Sequence, residues 1–98
     1  MHLLRFRPEA YEDIESAYSW YEQQRKGLGE EFLLVLEDSF AKIAKDPNIY
    51  PKVYNNIQRK LIKRFPYGVF YTLKTDMVII IAILHTRSDT TKRNIEIA

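Results

Sequence analysis

The chain has 98 residues, 46% of them hydrophobic and 13% aromatic, which is enough for one globular domain spanning residues 1–98 and too little for two cores. It contains no cysteine, which excludes a disulfide scaffold, a thiol nucleophile and a zinc site built on thiolates. The net charge of +2 hides a split: residues 1–49 hold six Lys/Arg and ten Asp/Glu, residues 50–98 nine and three, so the second half is suited to an acidic or polyanionic partner.

In chain order, His2 to Arg7 predicts a short first strand. No apolar run of signal-peptide length precedes or follows it, which predicts a cytoplasmic protein. Pro8 suits the first position of a helix, where its missing N–H costs nothing. Glu9, Glu12, Asp13 and Glu15 follow, favoured at the positive end of the helix dipole. Ala10, Ile14, Ala17 and Tyr21 form the apolar stripe, with Tyr11 and Tyr18 beside it and Trp20 at its edge. Gly27-Leu28-Gly29 interrupts the pattern. A second helix then carries Leu28, Phe32, Val35, Leu36, Phe40 and Ile43 and ends at Asp46-Pro47, since a residue before proline leaves the helical region. Two helices with so short a connection make an antiparallel hairpin.

Asn48 to Tyr54 reads as a connection in which Tyr50 and Tyr54 are free to meet a partner. Three strand-like runs follow. Val53 to Arg64 contains one, centred on Ile57 to Lys63. Tyr67 to Lys74 alternates Tyr67, Val69, Tyr71 and Leu73 on one face, and Met77 to Leu84 is apolar on both faces, as a central strand is. At eight residues this last run is far short of the roughly 20 needed to cross a bilayer. The order β-α-α-β-β-β predicts an α+β fold, a helical hairpin packed on one face of a mostly antiparallel sheet. Residues 90–98 read equally as a short strand or a short helix.

Arg59-Lys60-Leu61-Ile62-Lys63-Arg64 is the densest cationic run. Strand alternation places Arg59 and Lys63 on one face and Lys60 and Arg64 on the other, a pattern that suits a strand near a sheet edge. Two readings stay open: a charged edge that resists aggregation, or a surface that binds phosphate or carboxylate, with Arg gripping bidentately and Lys acting as a point charge. His85 and Arg87 project to one face if the last strand continues that far. His85 is then either a hydrogen-bonded strand-end residue or a general acid/base. Glycine occurs only at positions 27, 29 and 68, which leaves no phosphate-cradling loop, and His2 and His85 lie at opposite ends. No metal and no cofactor is expected.

Several marks fall in one order: Ala10 with Asp13-Ile14; Trp20-Tyr21; Gly27-Leu28-Gly29 with Phe32; Pro47 with Tyr50-Pro51; Arg59-Lys60; Phe65-Pro66-Tyr67-Gly68 with Tyr71; and His85 with Arg87. From about residue 3 to residue 89 the chain resembles the RelE/ParE superfamily of bacterial toxins, often named plasmid stabilisation proteins. The resemblance implies the same β-α-α-β-β-β layout. It also implies a growth-inhibiting toxin of a type II toxin–antitoxin system, held by a cognate antitoxin in a hetero-oligomer. RelE-like members cleave mRNA in the ribosomal A site with basic residues and a late Tyr or His, whereas ParE-like members poison DNA gyrase and lack that set. Here the segment after Arg87 has neither Tyr nor His, which places the chain closer to the ParE side. In a RelE-like endoribonuclease His85 and Arg87 would carry the chemistry. In either case Arg59, Lys60, Lys63 and Arg64 would meet the phosphate, the target or the antitoxin. A degenerate toxin that only binds an antitoxin is the third reading.

Overall fold

The computed structural model describes residues 1–87. A first strand, β1 (Leu3–Phe6), leads into helix α1 (Pro8–Gln24) and helix α2 (Leu28–Lys45). A single 3-10 turn at Pro47–Ile49 precedes β2 (Lys52–Tyr54), β3 (Ile57–Leu61), β4 (Tyr67–Lys74) and β5 (Met77–His85). The predicted α+β layout stands, with one strand added: β2 is three residues long and exposed throughout, so it shows no apolar alternation. The expectation for residues 90–98 lies outside the described residues.

Helix α1 starts as its sequence dictates, with Pro8 in its first turn and Glu9 beside it. Helix α2 follows Gly27, whose φ of +89° is a left-handed conformation that glycine alone adopts without strain. It ends before Pro47 with Lys42 and Lys45 in the last turn, where cations complement the negative helix end. The connection is held by Glu22 of α1, whose carboxylate accepts from Gly27 N–H and Gly29 N–H, each at 2.9 Å. These amides have no partner inside α2, so the carboxylate acts as its cap from a neighbouring helix.

The sheet order is β1-β5-β4-β3-β2; β1 pairs parallel to β5 and every other pairing is antiparallel. Met77–His85 is therefore a central strand, as its uniform apolarity predicts. The edges are β1 and β2; the basic strand β3 lies between β4 and β2, next to an edge as its alternation suggests, and not at the edge itself.

The helical hairpin covers one face of the sheet. Ala10, Ala17 and Tyr21 of α1 and Phe32, Leu36 and Ile43 of α2 pack there with Val69 and Tyr71 of β4 and Val78, Ile80 and Ile83 of β5. Rings of Tyr21, Phe32, Phe65 and Tyr67 meet mostly edge-on at 4.8–6.0 Å, the arrangement their quadrupoles favour. On the opposite face Ile57, Phe70, Ile81, Ala82 and Leu84 form a second buried cluster.

The two clusters expose a feature of β5 that decides where its end points. Phe70 pairs with Ala82 but Tyr71 with Ile80, so Ile81 is an extra residue in the strand. Such a bulge shifts the side-chain alternation by one. Before it Val78 and Ile80 face the helices, and after it Ile83 does. His85, two residues on, is thereby turned to the helix side.

Candidate functional site

The six candidate residues do not form one constellation. Arg59 follows Gln58, whose side chain reaches Tyr71 on the helix side, so strand alternation places Arg59 on the opposite face. Its stem crosses Gly68: a Cβ there would lie 3.1 Å from Arg59 Cγ and Cδ. Arg59 Nε is buried and has no hydrogen-bond partner among the described residues. A buried guanidinium N–H without an acceptor is costly, so Arg59 carries a donor that the described residues leave unsatisfied.

Lys60 points the other way and is only 8% exposed. Its ammonium donates to Leu61 O at 3.3 Å and lies 5.3 Å from the centre of the Tyr50 ring. Burial pushes its pKa down, and the positive charge of Lys42 adds to the shift. Strand β3 ends at Leu61, so Lys63 and Arg64 lie beyond it in a bend and do not continue its alternation. Lys63 stays exposed near α2. There Lys42 bonds Asp38 at 2.9 Å and holds that carboxyl below its usual range, with Lys63 and Lys60 pulling more weakly in the same direction.

Arg64 has φ +69°, a strained left-handed conformation for a residue with a Cβ. It is held there by Glu31 of α2, 2.7 Å from its guanidinium, and by the Phe65 ring beneath it at 5.2 Å. Arg64 beside Glu31 lowers the pKa of that carboxyl, with help from Arg25. Arg64 is thus a clamp between the β3–β4 bend and α2 as much as a contact surface.

His85 is the last residue of β5, and Arg87 lies in the turn beyond it rather than on a shared strand face. Arg87 N–H donates to His85 Nδ1 at 3.1 Å. The His85 ring meets Tyr67 edge-on at 5.3 Å. Both line a groove of about 650 Å³ between α1 and the ends of β4 and β5, with Asp13, Ser16 and Trp20 on its helical wall.

The placement of Asp13 was hidden in the sequence. It reads as a helix-start carboxylate, yet its Oδ2 accepts from Ile83 N–H at 3.0 Å, across 70 residues, next to the bulge. Trp20, at the edge of the apolar stripe, and Tyr11, beside it, are 56% and 60% exposed. Tyr54 is exposed as expected, whereas Tyr50 packs on the core beneath Lys60.

A family model described as the ParE toxin of type II toxin–antitoxin system, parDE, matches residues 4–90. Among solved structures, the chain is similar to one of the chromosomal ParDE toxin–antitoxin system from P. aeruginosa. That match has a TM-score of 0.78 and 15% identity, over 87% of this chain and 96% of that one. It is also similar to the crystal structure of the isolated E. coli RelE toxin, with a TM-score of 0.58 and 13% identity over 98% and 97% of the two chains. At these identities the structural likeness concerns the fold. No curated protein matches the chain at a significant level.

Proposed function

The chain belongs to the ParE toxin family of type II toxin–antitoxin systems, and on that footing we propose that it is a toxin held inactive by a cognate antitoxin and directed, when released, at DNA gyrase. One observation carries the choice of target. Ribonuclease chemistry needs a proton-transfer group and phosphate-binding cations around one scissile bond. Here His85 faces the helix side of the sheet while Arg59 faces away from it. His85 looks into a groove on the α1 side of the sheet, and Arg59 is not among the residues that line it. The arrangement supports a protein that acts by binding.

In this reading Arg59, on the sheet face away from the helices, and the exposed Lys63, in the bend beyond β3 near α2, each meet an acidic or phosphate group of target or antitoxin, with Arg64 holding that bend to α2. Lys60 is buried on the helix side of β3 beside Tyr50 and is left out of the contact. Antitoxin and target compete for Arg59 and Lys63, and the toxin–antitoxin complex is the resting form.

The test is induction of the chain in cells, with and without the protein encoded by the neighbouring reading frame. Growth arrest with altered nucleoids and intact mRNA, relieved by the neighbour, is the expected result. It should persist in His85→Ala and Arg87→Ala. Arrest with mRNA cleavage that both substitutions abolish would establish the ribosome-dependent ribonuclease instead. Full viability without the neighbour would leave a binding module with no target.

A further inference from the structure

Lys60 is a buried ammonium that the proposed contact with target or antitoxin leaves unused. It points to the helix side of the sheet beside Tyr50 and is 8% exposed. An ammonium has three N–H donors. Among the described residues this one has a single acceptor, Leu61 O at 3.3 Å. One carbonyl dipole and the face of one phenol ring compensate a buried charge only in part.

Two more lysines crowd it. Burial lowers the pKa of Lys60, and the charges of Lys42 and, more weakly, Lys63 lower it further, so both lie within electrostatic reach. Lys63 also meets Lys42 side chain to side chain. Asp38 is the one carboxylate among these groups: it bonds Lys42 at 2.9 Å and feels Lys63 and Lys60 more weakly. Three ammonium groups against one carboxylate leave an excess of two positive charges. Like charges gathered in this way repel, and an anion set between them turns the repulsion into attraction.

The donors select the anion. The guanidinium in the same bend, Arg64, is held by Glu31 at 2.7 Å, which leaves lysines to do the binding. Lysines are point charges suited to the several oxygens of a phosphate, whereas a planar carboxylate is gripped best by a forked guanidinium. The excess of two charges matches a dianion. We propose that Lys42, Lys60 and Lys63 hold a phosphate dianion, free or as the terminal phosphate of a nucleotide, with Lys60 as its buried anchor and Asp38 as its competitor for Lys42. The inference stands apart from the choice of gyrase as target and is tested on the isolated chain.

The full chain is titrated with inorganic phosphate, adenosine monophosphate and adenosine at about pH 8, where a phosphate monoester is a dianion. The NMR signals of the lysine ε carbons and of the Leu61 amide are followed. The ε-carbon signal of Lys60 is the one that Lys60→Met removes. Phosphate and the nucleotide should move it together with those of Lys42 and Lys63, and adenosine should move none. At saturation the pKa of Lys60, read from this signal, should rise by about one pH unit, the counterpart of roughly tenfold tighter binding to the charged lysine. Equal affinities for phosphate and nucleotide uphold the site as one for the phosphate group alone; about tenfold tighter nucleotide binding upholds it as a nucleotide site.

Lys60→Met should weaken phosphate binding about tenfold, read on the Leu61 amide and on the ε carbons of Lys42 and Lys63. Asp38→Asn removes the competing carboxylate from an exposed position of α2 and should tighten binding about threefold. It also covers the case in which Lys60→Met unfolds. Signals unmoved by millimolar phosphate, a Lys60 pKa that phosphate leaves unchanged, or adenosine acting like the nucleotide would overturn the proposal. So would a folded Lys60→Met variant that binds phosphate as tightly as wild type, since that is the mark of general attraction to a basic surface.

Discussion

Lys60 is a charged side chain whose surroundings oppose its charge. It lies 8% exposed between Tyr50 and the end of α2, with Lys42 close enough to depress its pKa further. A lysine whose folded pKa lies below its unfolded value holds its proton more tightly when unfolded. It therefore subtracts stability at neutral pH, and the deficit closes as pH rises toward the unfolded value. Lys60→Met is expected to leave the melting temperature at pH 7 unchanged or higher; a fall of more than about 5 °C, roughly 1 kcal/mol for a domain of this size, would show that the ammonium stabilises the fold. Tyr71 has the opposite sign. It is fully buried, donates to Pro47 O at 2.6 Å and accepts from Gln58 Nε2 at 3.3 Å, and burial pushes its pKa well up. A raised pKa contributes stability that is complete below the unfolded value and lost above it, so thermal stability should fall as pH rises past about 10. Tyr71→Phe should cost about 1–2 kcal/mol at pH 7 and flatten that alkaline decline. An unchanged decline in the variant would assign it to Tyr21 and Tyr67, whose hydroxyls burial also shifts upward.

At the scale of elements, periodicity and punctuation located both helices, the central strand and the run Tyr67 to Lys74, because each buries a regular stripe. What escaped notice lacks a local signal. Strand β2 is exposed throughout. The bulge at Ile81 sits in the run Ile79-Ile80-Ile81, where a shift in alternation exchanges one isoleucine for another. The basic run has the alternation expected for Arg59 and Lys60, but the strand ends at Leu61 and the bend redirects Lys63 and Arg64. Glu22 reads as one more helix-surface acid, and only the hairpin geometry turns it into the cap of α2. The same geometry makes Gly29 irreplaceable: an added Cβ would lie 2.8 Å from Tyr18 Cδ1 and Tyr18 O and 2.9 Å from Glu22 Oε1. Gly29→Ala should therefore separate α1 from α2 and cost about 1–3 kcal/mol, despite the better helix propensity of alanine. A melting temperature equal to wild type would mean that the hairpin yields at no cost.

For the molecule as a whole, the split between an acidic first half and a basic second half becomes a spatial arrangement. The acidic helix α1 borders the groove at the end of β5. Arg59 lies on β3, two strands away in the sheet, on the face away from the helices, and Lys63 and Arg64 lie in the bend beyond it, against α2. Arg59 was visible in the sequence as a cation. Its buried Nε, and the room that Gly68 makes for its stem, were not, since both depend on the pairing of β3 with β4. His85 was visible as the one histidine near a strand end, but its facing depends on a bulge that a uniform apolar run conceals. These placements favour a protein that binds its target over one that cleaves a phosphodiester. The most direct test is DNA supercoiling by purified gyrase in the presence of excess purified chain. Supercoiling should fall, should recover when the protein encoded by the neighbouring reading frame is added, and should fall equally with His85→Ala. Supercoiling and DNA cleavage that stay unchanged at excess chain would contradict the gyrase-directed reading.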